Sequence, residues 1–168
     1  MVWQGAWPPH EVQLSDGRLT ALMATVDGLA SDVGDDVSSA LARFLTVRAC
    51  GHIELTFDEC LAHYADEKAH PFIASHVRAG LFKGRNPRPD DLTERLRRIN
   101  PSWSTSFVEY LDEDDNRRRR ELGLLVDRRN SISHGQNEGL GVRKALDLAR
   151  LALDVSAWFC STLSPNAA

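Results

Sequence analysis

The chain has 168 residues, 42% of them apolar and 26% charged, the proportions of one ordinary globular domain, which excludes wholesale disorder, collagen-like repeats and a disulfide-dense miniprotein. A formal net charge of −4 excludes a polycation that holds nucleic acid by bulk charge alone. The charge is unevenly placed: residues 1–77 carry 4 Lys/Arg against 11 Asp/Glu and residues 78–168 carry 16 against 13, so any polyanion contact is expected in the C-terminal half.

Trp3 to Pro9 contains two tryptophans and a proline pair. This predicts an extended arm over residues 1–14, laid on a single helical domain of residues 15–168. From Ser15, apolar residues recur at Leu19, Leu22, Met23, Val26, Leu29 and Val33, which is helical spacing, and Gly34 to Asp36 breaks it. A long run from Val37 to Tyr64 follows, interrupted chiefly by Gly51, and predicts the central helix, ended near Pro71. Residues 72–82 read as a shorter helix, 84–89 as a basic loop with two prolines, and 90–99 and 102–111 as two short helices, the second starting at Ser102.

Residues 114–134 place Leu122, Leu125, Val126, Arg129 and Ile132 on roughly one face, with Gly135 where a helix end favours positive φ. The last helix is predicted from Val142 through Phe159, with Pro165 just beyond it. Alternating strand patterns and internal repeats are absent, so the expected architecture is an all-α bundle. Cys50, Cys60 and Cys160 form no CxxC pair and are odd in number, which points to buried free thiols rather than a zinc ribbon or a secreted disulfide framework. The chain opens without a basic start followed by an apolar run, and no stretch approaches the roughly 20 apolar residues of a membrane span. A cytoplasmic protein is expected.

No phosphate loop, GxGxxG, HExxH or GxSxG occurs, which removes the main support for P-loop hydrolysis and zincin proteolysis. His63, Asp66, Glu67 and His70 crowd one helix, but its two histidines stand seven apart rather than four, so the group reads as a solvated face and no metal or cofactor is expected. Arg117 to Arg120 point around the whole helix circumference and follow the acidic run Asp112 to Asp115. That order suits the helix dipole as well as it suits phosphate.

The stretch Leu125 to Gly135 is more specific: Arg129-Asn130 is followed, after Ser131, Ile132 and Ser133, by His134-Gly135. The Arg-x4-His spacing alone is weak, since 17 arginines and 6 histidines in 168 positions supply about 0.6 such pairs by chance. Its setting on an apolar helical face, before a loop and a last helix, resembles the HEPN superfamily of α-helical domains. Arg48, Gly51 and Glu54, an Arg-x2-Gly-x2-Glu arrangement on the long helix, resemble the branch called RiboL-PSP-HEPN, and residues 37–163 fit its layout.

The resemblance implies a HEPN-like antiparallel helical bundle with additional short helices. It also implies a metal-independent endoribonuclease, often a toxin or defence effector, whose Arg and His motif works at a homodimer interface on RNA. The residues suit that chemistry: imidazole titrates near neutrality and serves as base or acid, and a guanidinium forks onto phosphate oxygens. One motif holds a single histidine, so two copies are needed for an acid and base pair. Arg129, Asn130 and His134 are the expected catalytic residues, with Asn130 orienting the imidazole or binding phosphate; Arg48, Glu54, Arg128 and Arg119 are expected substrate contacts. Arg48 with Glu54 reads first as a structural ion pair or helix contact and second as part of the site. Related toxins silenced by a nucleotidyltransferase antitoxin often carry tyrosine two residues after the histidine, where this chain has Gln136; that leaves a different antitoxin, or none. The rival readings are a non-catalytic module that binds RNA, a nucleotide or a protein partner, and a purely structural dimerisation bundle.

Overall fold

A computed structural model of the chain describes residues 5–29, 31–136 and 139–166. Among them are six helices and no strand: α1 (His10–Leu29), α2 (Asp35–Lys68), α3 (Pro71–Ala79), α4 (Pro89–Arg97), α5 (Pro101–Ser133) and α6 (Val142–Thr162). The fold is all-α.

Helix α2 is the axis of the bundle. Its buried positions, among them Ala42, Leu45, Ala49, Ile53, Phe57 and Cys60, recur every three or four residues, so one long apolar face meets α6, and flanking faces meet α1 and α5. The aromatic centre is Phe57 of α2, Phe107 of α5 and Phe159 of α6, with Phe159 standing 5.1 Å from Phe57 and 5.2 Å from Phe107, centroid to centroid. All three are fully buried. Ser15 near the start of α1 meets His52 in the second half of α2, far from the connection between these helices, so α1 runs antiparallel to α2.

Helix α1 begins at His10, five residues before the spacing predicted, so the arm is shorter than residues 1–14. The physical cause is Pro9, whose carbonyl accepts from Val12 and Gln13 backbone N–H groups at 3.0 and 3.1 Å and opens the first turn. Trp7, in the remaining arm, lies on the core and donates its indole N–H to the Cys160 carbonyl at 2.7 Å. Trp3 of the predicted arm, and Ala30 of the predicted first helix, lie outside the described residues.

The two helices expected at 102–111 and 114–134 are the halves of α5. They join through Glu113 to Asn116, where Asp114, Asp115 and Asn116 have φ of 53°, 57° and 58°. Three successive left-handed residues stop a right-handed helix, and Asp and Asn tolerate that region better than other side chains. The N-cap is Asn100 rather than Ser102: its Oδ1 accepts from the Ser102 backbone N–H at 3.0 Å and Pro101 fills the first turn.

The arginine run fastens this corner. Arg118 donates to the Tyr110 carbonyl at 3.1 Å and lies over the Tyr110 ring; Arg119 bridges Asp112 at 2.6 Å and Asp90 at 3.3 Å; Arg120 pairs with Asp115. On the face read as solvated, Asp66 pairs with Arg78, His63 stands 3.8 Å from Glu59, and His70 caps α3 by accepting from the Phe72 N–H. Among the described residues no helix is long and apolar enough to cross a membrane.

Candidate active site

The second half of α5 carries the Arg-Asn and His-Gly pairs, and its end is a closed turn. His134 occupies the C-cap, donating its backbone N–H to the Asn130 carbonyl at 3.0 Å. Gly135 follows at φ 73° and donates to the Ile132 carbonyl, and Gln136 donates to the Ser131 carbonyl, both at 3.0 Å. This is a Schellman closure, which needs positive φ at the residue after the cap and so favours glycine there. The closure fixes the His134 backbone while leaving its imidazole exposed.

Arg129, half-buried, donates from Nη1 to the Asn130 Oδ1 at 3.3 Å. Asn130, expected to orient the imidazole or bind phosphate, thus accepts from the Arg129 guanidinium. The Ser133 hydroxyl donates to the Arg129 carbonyl at 2.9 Å and completes the last turn.

Opposite Arg129, α2 presents Cys50, Glu54 and Asp58, spaced four apart on one face. Burial pushes the Glu54 carboxyl up from its ordinary value, and the Arg129 charge is the strongest force pulling it back down, with Arg95 adding to it. Burial and Glu54 push the Cys50 thiol up to about 12, again opposed by Arg129. Asp58 is buried, pairs with Arg95, and accepts from the Phe82 backbone N–H at 2.8 Å; Arg95 lies over the Phe57 ring. The guanidinium groups of Arg129 and Arg95 thus converge on a line of carboxylates along α2.

Nearer the N-terminus of α2, an open cleft of about 320 Å³ is lined by Arg43, Phe44, Val47, Ile132, Gly135 and Gln136. Residues 43–47 thus meet 132–136 while Glu54 meets Arg129, so this half of α5 runs antiparallel to α2. Beside the cleft, Val37, Ala40, Phe44, Arg48 and Gly51 make an exposed stripe at helical spacing. Phe44 and Val37 on this stripe are 53% and 50% exposed. A Cβ added at Gly51 meets nothing within 4 Å, so nothing inside one chain requires glycine there.

A family profile described as RiboL-PSP-HEPN matches residues 21–159. The chain belongs to the RiboL-PSP-HEPN family. Neither a curated protein nor a solved structure matches it. HEPN membership points to a nuclease or an RNA-related module, and HEPN domains often dimerise and bind RNA.

The expected site residues of this HEPN domain divide into two groups. Arg129, Asn130 and Glu54 come together, His134 follows one turn on, and Arg128 is half-buried beside them on α5. Arg48 and Glu54 do not form the ion pair considered from sequence: Arg48 is exposed and its charge acts on His52, while Glu54 answers to Arg129. Ten helical residues separate Arg119 from Arg129, about 15 Å along the axis, and Arg119 is held by Asp112 and Asp90. It belongs to the α5 corner. Arg95, Asp58 and Cys50 were not foreseen; the four-residue spacing of Cys50, Glu54 and Asp58 was the available signal.

Proposed function

We propose that this HEPN domain is a metal-independent endoribonuclease that works as a homodimer, with Arg129 and His134 from both copies around one RNA strand. The observation that carries the reading is an exposed imidazole, held by a glycine-closed helix end, at the rim of an apolar cleft and stripe that the chain leaves uncovered. A single subunit offers one histidine here, and cleavage through the 2′-hydroxyl needs one group to take its proton and another to protonate the leaving 5′-oxygen. Pairing two copies along Val37, Phe44 and Gly51 buries the apolar stripe and supplies the second His134. Arg129, steadied by Asn130, neutralises the phosphorane, and the product is a 2′,3′-cyclic phosphate. Gln136, on the cleft wall, has no phenolic hydroxyl for a partner to modify.

The test is cleavage of total RNA by the purified protein in EDTA. His134→Ala is expected to abolish cleavage while sedimentation still reports a dimer; undiminished cleavage by this variant overturns the assignment. The second reading, a non-catalytic RNA-binding module, is favoured by Arg129 lying half-buried against Glu54 rather than open to solvent. It predicts that the wild-type protein retains RNA without cutting it.

A further inference from the structure

The three cysteines are not equivalent. Cys50 is fully buried, donates toward the Glu54 Oε1 at 3.9 Å, and its thiol is pushed up to about 12. Cys60 of α2 and Cys160 of α6 instead face each other, with 3.9 Å between their sulfurs. Both are held in place by their neighbours. The Phe57 and Phe159 rings lock the two helices together close by, and the Trp7 indole fixes the Cys160 carbonyl.

Access is available from one side. Cys160 is half-buried and lines a cavity of about 560 Å³ whose walls include Trp7, Val12, Asp16, His52 and Ser156. Cys60 is fully buried behind it. A small oxidant entering the cavity therefore meets Cys160 first.

We propose that Cys60 and Cys160 are a peroxide-oxidisable dithiol that closes to a disulfide stapling α2 to α6, with Cys160 as the attacking sulfur. The Cys160 thiolate attacks one oxygen of a hydroperoxide, the O–O bond breaks, and the second oxygen leaves as hydroxide or alkoxide, which takes up a proton. Cys160 is then a sulfenic acid. The Cys60 sulfur attacks it, the S–O bond breaks, water leaves, and the S–S bond forms, so two thiols are oxidised and one peroxide is reduced. Closing from 3.9 Å to a bond of about 2 Å asks for side-chain rotation between helices already in contact. The direction of reactivity agrees with the electrostatics: the contact with Cys60 lowers the Cys160 thiol below its ordinary value, against burial and the Asp16 charge, while Cys60 itself is raised.

The staple joins positions 100 residues apart, a long loop whose closure restricts the unfolded chain. The experiment exposes the full-length protein to hydrogen peroxide, then unfolds it in N-ethylmaleimide. The expected mass shows one maleimide, on Cys50, and a peptide linking Cys60 to Cys160; without reductant the melting temperature rises, and a dithiol reagent reverses the rise. Three labelled cysteines after oxidation overturn the proposal, as does a linkage found only between chains. Cys60→Ala keeps the test open if the staple is lost for other reasons. It is expected to accumulate a Cys160 sulfenic acid that dimedone traps, and failure to trap one removes Cys160 as the attacking sulfur.

Discussion

His52 shows how burial governs a titratable side chain in this protein. It is 2% exposed, and its Nδ1 lies 2.9 Å from the Ser15 hydroxyl. Burial lowers its pKa from 6.5, Arg48 adds to that, and Asp16 opposes it. The unfolded chain therefore takes up a proton near pH 6.5 that the folded chain refuses, and stability falls as pH drops below 6.5 toward the lower folded value. Replacing His52 with Asn is expected to flatten this limb in urea titrations between about pH 7 and about pH 5, while lowering stability at neutral pH by about 1–2 kcal/mol through lost packing and the stranded Ser15 hydroxyl. Glu54 is likewise governed by burial, which raises its carboxyl from the ordinary value while the Arg129 charge opposes the rise. That Glu54 faces Arg129 was not legible, because Arg48, six residues before Glu54 on the same helix, offered a nearer partner in sequence.

At the scale of the element, α5 shows a local sequence overriding a helix. Asp112 to Arg120 has the composition of a charged helical stretch, yet three residues adopt left-handed φ, each at a cost of about 1 kcal/mol. The arginines that follow offset this by tying the corner to Tyr110, Glu113, Asp112 and Asp90. Asn116→Val is expected to destabilise the fold by about 1–2 kcal/mol, because a β-branched residue is strained at φ 58°. The midpoint of chemical denaturation measures it. Asn116→Gly, which relieves the strain, is expected to leave stability unchanged or raise it, and a larger loss with glycine than with valine contradicts this account. The end of α5 was readable because Gly135 marks it; the corner was readable only as a gap between two helical patterns, at 111 and 114, since neither glycine nor proline marks it.

At the scale of the whole molecule, the surface beside the cleft is one of those the described chain leaves uncovered. Val37 and Phe44 expose half of their side chains along a stripe that also bears Gly51, beside the cleft that reaches Gly135. Within a monomer such exposure contributes nothing to stability; across two copies it buries apolar area and lets the helices approach closely at the glycine. Phe44→Asp is expected to weaken dimerisation at least about tenfold, the effect of losing roughly 1.4 kcal/mol, with little change in melting temperature of the separated chain. Sedimentation equilibrium reads the first and circular dichroism the second. On the proposed dimeric ribonuclease reading, RNA cleavage is expected to fall with the dimer fraction, since that reading sets two His134 side chains around one strand.

Helical periodicity, the breaks at Gly34, Pro71 and Pro101, and the Gly135 stop determine the all-α class and most helix positions, because these are local effects of backbone sterics and of apolar residues sharing one face. The run from Arg129 to His134 was legible for the same reason, as a motif on one helix with a glycine at its end. Which carboxylate Arg129 faces, whether Arg119 joins it, and that Cys60 meets Cys160 were decided only by tertiary packing. Those contacts bring together residues far apart in the chain, and the rotation of α2 against α5 and α6, which selects them, is set by how the whole core fills.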